Sequence, residues 1–576
     1  MPITKLLEEN AKKYGEDIAL VEINPQQPED RRITWKEYEL IEPTPFVHYR
    51  REITWSVFDE KANRFANLLL SRGVKRGDKV AILLMNCLEW LPIYFGILKA
   101  GALAVPLNFR YSADEIEYCV NKSDTDVLVF GPEFIGRVEE IADSVSKNRL
   151  LFFVGDGCPS FAESYAHQTA NCSGMAPNIE ISDQDDAAIY FSSGTTGFPK
   201  AILHNHESLM HAAKAEQNHH GQTKDDVFLC IPPLYHTGAK MHWFGSLLTG
   251  GKAVLLKGVT PKTILETVSN EGCTIVWLLV PWAQDILLAL DRGEIKLEDY
   301  KLDQWRLMHI GAQPVPQSLI KRWKEYFPHH QYDTNYGLSE SIGPGCVHLG
   351  VENINKVGAI GIPGYGWEAK IVDPEGNPVE QGSVGELIVK GPGVMTCYYN
   401  DEKATAETIK DGWLYTGDMA EMDEDGFIYL VDRKKDVIIS GGENLYPVVT
   451  LVLYFGHDKP WNGPLSLKER LNIPKEFEPY VNDYKINLFQ IAYLTHEQVE
   501  LFQSDFKVVA DYFVQKRENG DYIPSSQDLT HVQETLQLLS IMTNDNRFEE
   551  AYNTNTDGQK GGPRNMCDVL DKVESR

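Results

Sequence analysis

Phe58, Ala62, Phe65, Ala66 and Leu69 recur at three- and four-residue spacing, the apolar stripe of an amphipathic helix. A short apolar run over 79–85 follows, then a helical stretch over 90–99 and a second strand over 101–107. The alternation continues through strand patterns at 127–130, 150–154 and 187–191, and again at 252–256, 274–280 and 307–310. Strands that alternate with helices in this way predict parallel pairing with crossover helices. Ahead of them, residues 1–25 read as an amphipathic helix and an apolar strand. The tripeptide Ile-Thr-Trp occurs at 33–35 and 53–55; two copies are too few for a repeat architecture and read as a local hairpin or small insertion. After Gly364 short strands and turns dominate, for example 369–373 and 385–390, which predicts a smaller β-rich subdomain.

The pattern changes again after Tyr446. Residues 449–455 read as a buried strand, ended by the turn-forming run Asp458-Lys-Pro-Trp-Asn-Gly-Pro464. Thr495 and Gln498 match a capping box. Val499, Phe502, Phe506, Val509 and Phe513 then form the apolar face of one helix, and Val532, Leu536 and Leu539 mark another. From Tyr552 the chain is polar and Gly/Asn-rich as far as a short helix over 567–573.

A chain of 576 residues exceeds one compact core, so at least two domains are expected. The net charge of −28 argues against nucleic acid as a non-specific partner, since a polyanion is repelled. ATP is not excluded, because a few local donors and a metal can meet its charge. The nine cysteines are odd in number and contain no C-x-x-C pair, so neither a disulfide framework nor a zinc site is expected. The N-terminal residues lack the features of a signal peptide, and apolar runs such as 275–281 are too short to cross a bilayer. A soluble cytoplasmic protein without stable membrane insertion is the expectation.

The sharpest chemical signal is Phe191-Ser-Ser-Gly-Thr-Thr-Gly-Phe-Pro-Lys200, an apolar strand running into small hydroxyl residues and glycines with a closing lysine. Glycine lets successive amides point into one concavity, hydroxyls donate without bulk, and the lysine adds a mobile charge; such a loop suits a triphosphate. It is not a Walker A loop. Gly364-Tyr-Gly-Trp-Glu-Ala369 matches a dinucleotide fingerprint in letters, yet a strand pattern follows it where a helix is needed. Gly337-Leu-Ser-Glu-Ser341 lacks the second glycine of a nucleophile elbow. The histidines between His204 and His242 lack metal-ligand spacing with acidic partners and read mostly as polar surface or loop.

Together with Tyr336-Gly-Leu-Ser-Glu340, Gly412-Trp-Leu-Tyr-Thr-Gly-Asp418, Asp432-Arg-Lys-Lys-Asp436 and Gly441-Gly-Glu-Asn444, this loop resembles the motif series of the adenylate-forming superfamily. That superfamily holds acyl-CoA synthetases, luciferases and peptide-synthetase adenylation domains, and the resemblance covers residues 1–447. It implies an α/β fold, a large adenylate-forming N-terminal domain of parallel-sheet subdomains and a β-rich subdomain. It also implies ATP and Mg²⁺, with CoA and a small carboxylic acid as further substrates. Ser192, Ser193, Gly194, Thr195, Thr196, Gly197 and Lys200 would wrap the β- and γ-phosphates. Gly311, Ala312, Gln313 and Tyr336 would hold the adenine, with Asn335, Gly337, Leu338 and Ser339 completing the nucleotide segment. Glu340 would bind Mg²⁺, with Ser192 as a second ligand. Asp418 and Arg433 would reach the ribose, and His236 would stand between the acid and the α-phosphate, so that Lys200, His236 and Glu340 carry the chemistry. Lys435 corresponds to the hinge. The acyl pocket would be lined from 236–244 and 277–282, both apolar and aromatic, which favours a fatty or aromatic acid.

In that superfamily a small mobile domain follows, with a lysine in a T-G-K-like segment, and no such segment is found here. Asp557-Gly-Gln-Lys-Gly561 has the wrong order. Residues 448–576, an atypical α/β segment, instead resemble the C-terminal portion of recombination-promoting nuclease/putative transposase proteins. The similarity rests on 449–456, Lys459-Pro-Trp461, Asn482-Asp-Tyr484 and Met566-Cys-Asp-Val-Leu570. A fusion at Tyr446-Pro-Val is the expectation. Beside the active ligase stand two other readings: a nucleotide- and acid-binding remnant with little turnover, and a nuclease or transposition factor, which the acidic charge opposes.

Overall fold

A computed structural model of the chain describes residues 1–25, 50–145, 149–192, 199–311, 315–343, 345–348, 355–433, 438–440, 443–445, 451–463, 465–466, 487–502, 504–543, 547–548, 551 and 565–568. The chain divides into two compact units, Met1–Pro447 and Val448–Arg576.

The alternation of short apolar runs and helices gives two large sheets in the first unit. One has eight strands in the order Cys397–Tyr398, Lys200–Asn205, Asp186–Ser192, Leu103–Pro106, Lys79–Leu83, Val127–Phe130, Leu150–Phe153 and Glu163–Ser164. The other has nine, running from Ile362–Pro363 through Cys346–His348, Gln331–Tyr336, Leu307–Gly311, Ile275–Leu279, Val227–Cys230, Lys252–Leu256 and Ile18–Ile23 to Arg50–Thr54. Their central strands pair in parallel, and each is buried on both faces, which is why they read as unbroken apolar runs. Several outer pairs are antiparallel, including Asp186–Ser192 with Lys200–Asn205 and Ile18–Ile23 with Arg50–Thr54, whereas Leu150–Phe153 and Glu163–Ser164 at one edge pair in parallel. A short connection such as 193–199 allows antiparallel return, whereas parallel pairing needs a crossover.

The second Ile-Thr-Trp tripeptide spans a strand end and a helix start. Thr54 caps the helix Trp55–Ser71, its hydroxyl accepting from the Val57 amide, and Trp55 is fully buried. The first tripeptide lies outside the described residues. A continuous apolar core joins both large sheets through Phe58, Phe95 and Trp243, on the helices Trp55–Ser71, Trp90–Lys99 and Thr237–Thr249. The β-rich part is a five-stranded sheet in which Glu368–Val372, Gly385–Lys390, Trp413–Met422 and Ile409–Lys410 pair in that order and Ile428–Arg433 adds to Trp413–Met422.

In the second unit Leu451–Tyr454 pairs in parallel with Asn487–Gln490. The capping box at Thr495 and Gln498 forms, but it opens only the five-residue helix His496–Glu500. A separate helix, Phe506–Asn519, follows, so the single helix expected over Val499–Phe513 is split in two. The Phe502 and Phe506 rings still meet edge-on with centroids 5.2 Å apart, so the apolar spacing survives a break in the backbone. Asp505, just before the second helix, accepts from the Thr530 and His531 amides and ties it to the chain ahead of Val532–Met542.

Candidate functional site

Strand register closes the serine-glycine loop at its base. Ser192 and Lys200 stand opposite each other at the ends of the antiparallel pair. Ser193, Gly194, Thr195, Thr196 and Gly197 between them lie outside the described residues. The short strand Cys397–Tyr398 adds alongside, Tyr398 opposite Ile202. This brings the Lys200 ammonium to 4.5 Å from the centre of the Tyr398 ring, a cation–π contact. The Tyr398 hydroxyl in turn donates to Glu340 Oε1 at 2.9 Å. Burial and the neighbouring Glu340 push that hydroxyl well above its ordinary pKa, so it stays a donor. Lys200, Tyr398 and Glu340 thus form one contiguous group from three separated segments.

Glu340 stands at the end of a tightly turned segment. A Cβ on Gly337 would fall 2.5 Å from the Gly343 carbonyl oxygen, so only glycine fits there. The Ser341 hydroxyl accepts from the Leu338 amide at 2.9 Å, and the Ser339 carbonyl accepts from His204 Nε2 at 2.8 Å. Both bonds fix the backbone that aims Glu340.

The Tyr336 hydroxyl donates to Asp418 Oδ2 at 2.5 Å, both side chains buried. Burial first, and the Asp418 charge second, hold the Tyr336 hydroxyl far above its usual pKa. Asp418 stands opposite Arg433 in the antiparallel register of the β-rich sheet. Asn335 Nδ2, next to Tyr336, is buried and makes no hydrogen bond among the described residues, an unmet donor of the kind a purine nitrogen satisfies. Gly311 ends the adjacent strand; Ala312, Gln313 and Lys435, the residue expected at the hinge, lie outside the described residues.

His236 precedes the helix Thr237–Thr249 and stacks on Tyr235 with ring centroids 4.5 Å apart. Gly238 faces the Trp277 ring so closely that a Cβ would meet it at 3.0 Å, which joins the two segments expected to line the acyl pocket. One turn further, Lys240 is fully buried, donates to the Leu234 carbonyl at 3.1 Å and lies 4.3 Å from the Tyr190 ring centre. Burial holds its amine well below the ordinary lysine pKa.

The reading of the histidines as polar surface or loop does not hold. His204, His206, His211, His219, His220 and His242 are all buried. The last three meet His309, Glu216 and Asp333 in one enclosed cluster. Spacing along the chain missed it because His309 and Asp333 come from neighbouring parallel strands, opposite each other in register. Tyr398 was missed for a related reason: its partner Glu340 is 58 residues away and meets it only through sheet addition.

The family model described as AMP-binding enzyme matches residues 7–399. A feruloyl-CoA synthase from Amycolatopsis sp is 32% identical over 406 residues, 70% of this chain and 78% of that protein. A long-chain-fatty-acid–CoA ligase from Mycobacterium tuberculosis is 29% identical over 415 residues, 71% and 78% of the two chains. Among solved structures, the inhibitor-bound N-terminal domain of FACL13 from Mycobacterium tuberculosis superimposes with a TM-score of 0.65 at 24% identity. The match covers 75% of this chain and 99% of that domain.

Proposed function

The chain belongs to the AMP-binding enzyme family, and we propose that it activates a fatty or aromatic carboxylic acid with ATP and passes the acyl group to CoA. The observation that carries the residue assignment is the contiguous group Lys200–Tyr398–Glu340 at the foot of the serine-glycine loop. Lys200 and the loop take the β- and γ-phosphates. Tyr336 and Asn335 take the adenine, and Asp418 the ribose hydroxyls, acceptor chemistry that suits a carboxylate. Glu340 and Ser192 offer hard oxygen ligands that fit Mg²⁺, which when bound supplies charge neutralisation at the phosphates. His236 stands between the acid and the α-phosphate.

In the first step a carboxylate oxygen attacks the α-phosphorus and the bond to pyrophosphate breaks, leaving an acyl-adenylate. In the second, the CoA sulfur attacks the acyl carbon, its proton passes to solvent and AMP leaves. The protein contributes alignment and charge stabilisation, with no covalent intermediate on a side chain. Carboxylate-dependent exchange of pyrophosphate into ATP tests the first step. Feruloyl and long-chain acids are the substrates to try first, because the relatives are named for them.

One observation favours a second reading, in which binding outlasts turnover. The family match stops at residue 399, and residues 448–576 form a unit of their own. Our reading of that unit as a transposase-like segment places it where a ligase carries its mobile lysine domain. Loss of one charge-stabilising group costs about 10²–10³ in rate. Exchange would then be slow and thioester formation slower still. Replacing residues 448–576 with an authentic ligase C-terminal domain should raise thioester formation; no rise would refute the reading.

A further inference from the structure

Polar atoms from three strands border the space beside Gly311. That glycine ends the strand Leu307–Gly311, and a Cβ built on it would stand 3.8 Å from His309 Nε2, 3.8 Å from Trp277 Nε1 and 3.8 Å from Thr334 Oγ1. Strand register brings them together. Trp277 stands opposite His309, and His309 opposite Asp333, on neighbouring parallel strands, while Gly311 follows His309 on the same face.

Two of these atoms are unmet and of opposite character. His309 Nε2 and Trp277 Nε1 make no hydrogen bond among the described residues, and both side chains are buried. The indole Nε1 carries a hydrogen and can only donate. His309 turns its Nδ1 to Asp333 Oδ1, and a carboxylate there fixes the hydrogen on Nδ1 and leaves Nε2 a bare acceptor. The other neighbour of that Nδ1, His220 Nε2 at 3.2 Å, cannot take the hydrogen, because against burial Glu216 and Asp333 raise the His220 pKa to about 10. Burial lowers His309 to about 4 against the pull of Asp333, so its ring is neutral near neutral pH. A buried donor and a buried acceptor left unmet are each costly.

Trp277 also ties this space to the segment expected to hold the acid. Its far ring atom, Cη2, would lie 3.0 Å from a Cβ on Gly238, two residues after His236. On the same helix His242 sets its ring centroid 4.5 Å from that of Trp277. The indole therefore reaches from the acyl helix to the nucleotide strand, with its N–H on the strand side.

We propose that Trp277 and His309 select an acid bearing a hydroxyl at the end remote from its carboxylate, the hydroxyl oxygen accepting from the indole N–H while its O–H donates to His309 Nε2. A hydroxyl donates and accepts at once, as this pair of atoms requires. An acid ending in a methyl or a bare ring makes neither bond, and a site built to bond a substrate hydroxyl rejects the analogue that lacks it. Asp333 is a positioning residue that sets the His309 tautomer. The selection rests on the acid-activating reading of the site and narrows its substrates to hydroxylated acids, aromatic or aliphatic.

The full chain is given two matched pairs of acids: para-hydroxycinnamate against cinnamate, and ω-hydroxyhexadecanoate against hexadecanoate. Carboxylate-dependent ATP–pyrophosphate exchange is measured for each, with acid binding by calorimetry alongside. The expected result is a preference of about 10- to 100-fold for the hydroxylated member in at least one pair, and the pair that shows it tells aromatic from aliphatic. Trp277→Phe keeps a ring and removes the donor; it should cut that preference about tenfold, whereas a merely structural loss would lower both members alike. Gly311→Ala places a methyl where the hydroxyl would lie, at ordinary contact distance from its neighbours, and should erase the preference. Should Trp277→Phe fail to fold, the preference of the parent chain and Gly311→Ala decide. Equal use of both members in both pairs, or a preference that the variants leave untouched, would overturn the proposal and leave the two atoms to an ordered water. Response to none of the four acids would overturn the acid-activating reading itself, and the selection with it.

Discussion

Replacing Tyr398 with phenylalanine removes one oxygen and leaves the ring. The lysine contact at 4.5 Å should survive, since it is made to the ring face, while Glu340 loses the donor now 2.9 Å away. A hydrogen bond to a charged acceptor is worth about 1.5–3 kcal/mol. At about 1.4 kcal/mol per decade, that predicts a change of about 10- to 150-fold in whatever depends on the position of Glu340. Under the assignment made here that quantity is magnesium-dependent adenylation. The assay is carboxylate-dependent ATP–pyrophosphate exchange over a Mg²⁺ titration, supported by calorimetric ATP binding in case exchange is slow. Tyr398→Phe should raise the half-saturating Mg²⁺ concentration by that factor and leave metal-free ATP binding near the parent value. Tyr398→Ala, which also strips the ring from Lys200, should weaken ATP binding as well. An unchanged Mg²⁺ dependence in Tyr398→Phe, with the fold intact by circular dichroism, would refute the link from Tyr398 through Glu340 to the metal.

Asp418→Asn keeps the shape of the ribose acceptor but loses its charge; ATP affinity should fall about tenfold or more, read by calorimetry, with little change in the unfolding midpoint. Gly337→Ala should destabilise the first unit by about 1–3 kcal/mol, because the new Cβ meets a backbone oxygen that cannot swing aside; calorimetric melting measures it. His330 accepts from Trp323 Nε1 at 3.3 Å, and burial holds its pKa down to about 3. The unfolded chain takes up that proton below about pH 6.5 and the native chain does not, so stability is full above pH 6.5 and falls as pH drops toward 3, by about 1.4 kcal/mol per pH unit for this group. Urea unfolding between pH 7 and 5 should show a shallower loss in His330→Phe by that slope, and equal slopes would contradict the assignment.

The alternating layers were legible because central strands buried on both faces write their burial as unbroken apolar runs. The tight turn at Gly337 was not read from the sequence; it shows in the approach of the Gly343 carbonyl oxygen. What sequence order could not carry was lateral adjacency. Tyr398 reaches Glu340 because a two-residue strand adds beside Lys200–Asn205, and neither residue's neighbours announce it. His309 and Asp333 belong with helix residues more than sixty positions away, joined by parallel register. Periodicity also says nothing of backbone continuity: Phe502 and Phe506 keep their contact although the helix between them is broken.

Lys240 gives the chain a built-in clock. Burial favours the neutral, nucleophilic form of this amine, and acyl-adenylates are acylating agents. Yet this amine is walled in beside Tyr190 and tied to the Leu234 carbonyl. Surface lysines can acquire acyl groups at a rate set by chemistry, but Lys240 can do so only when the core parts around it. Its acylation in the intact protein therefore measures how often the interior opens, much as slow amide exchange does.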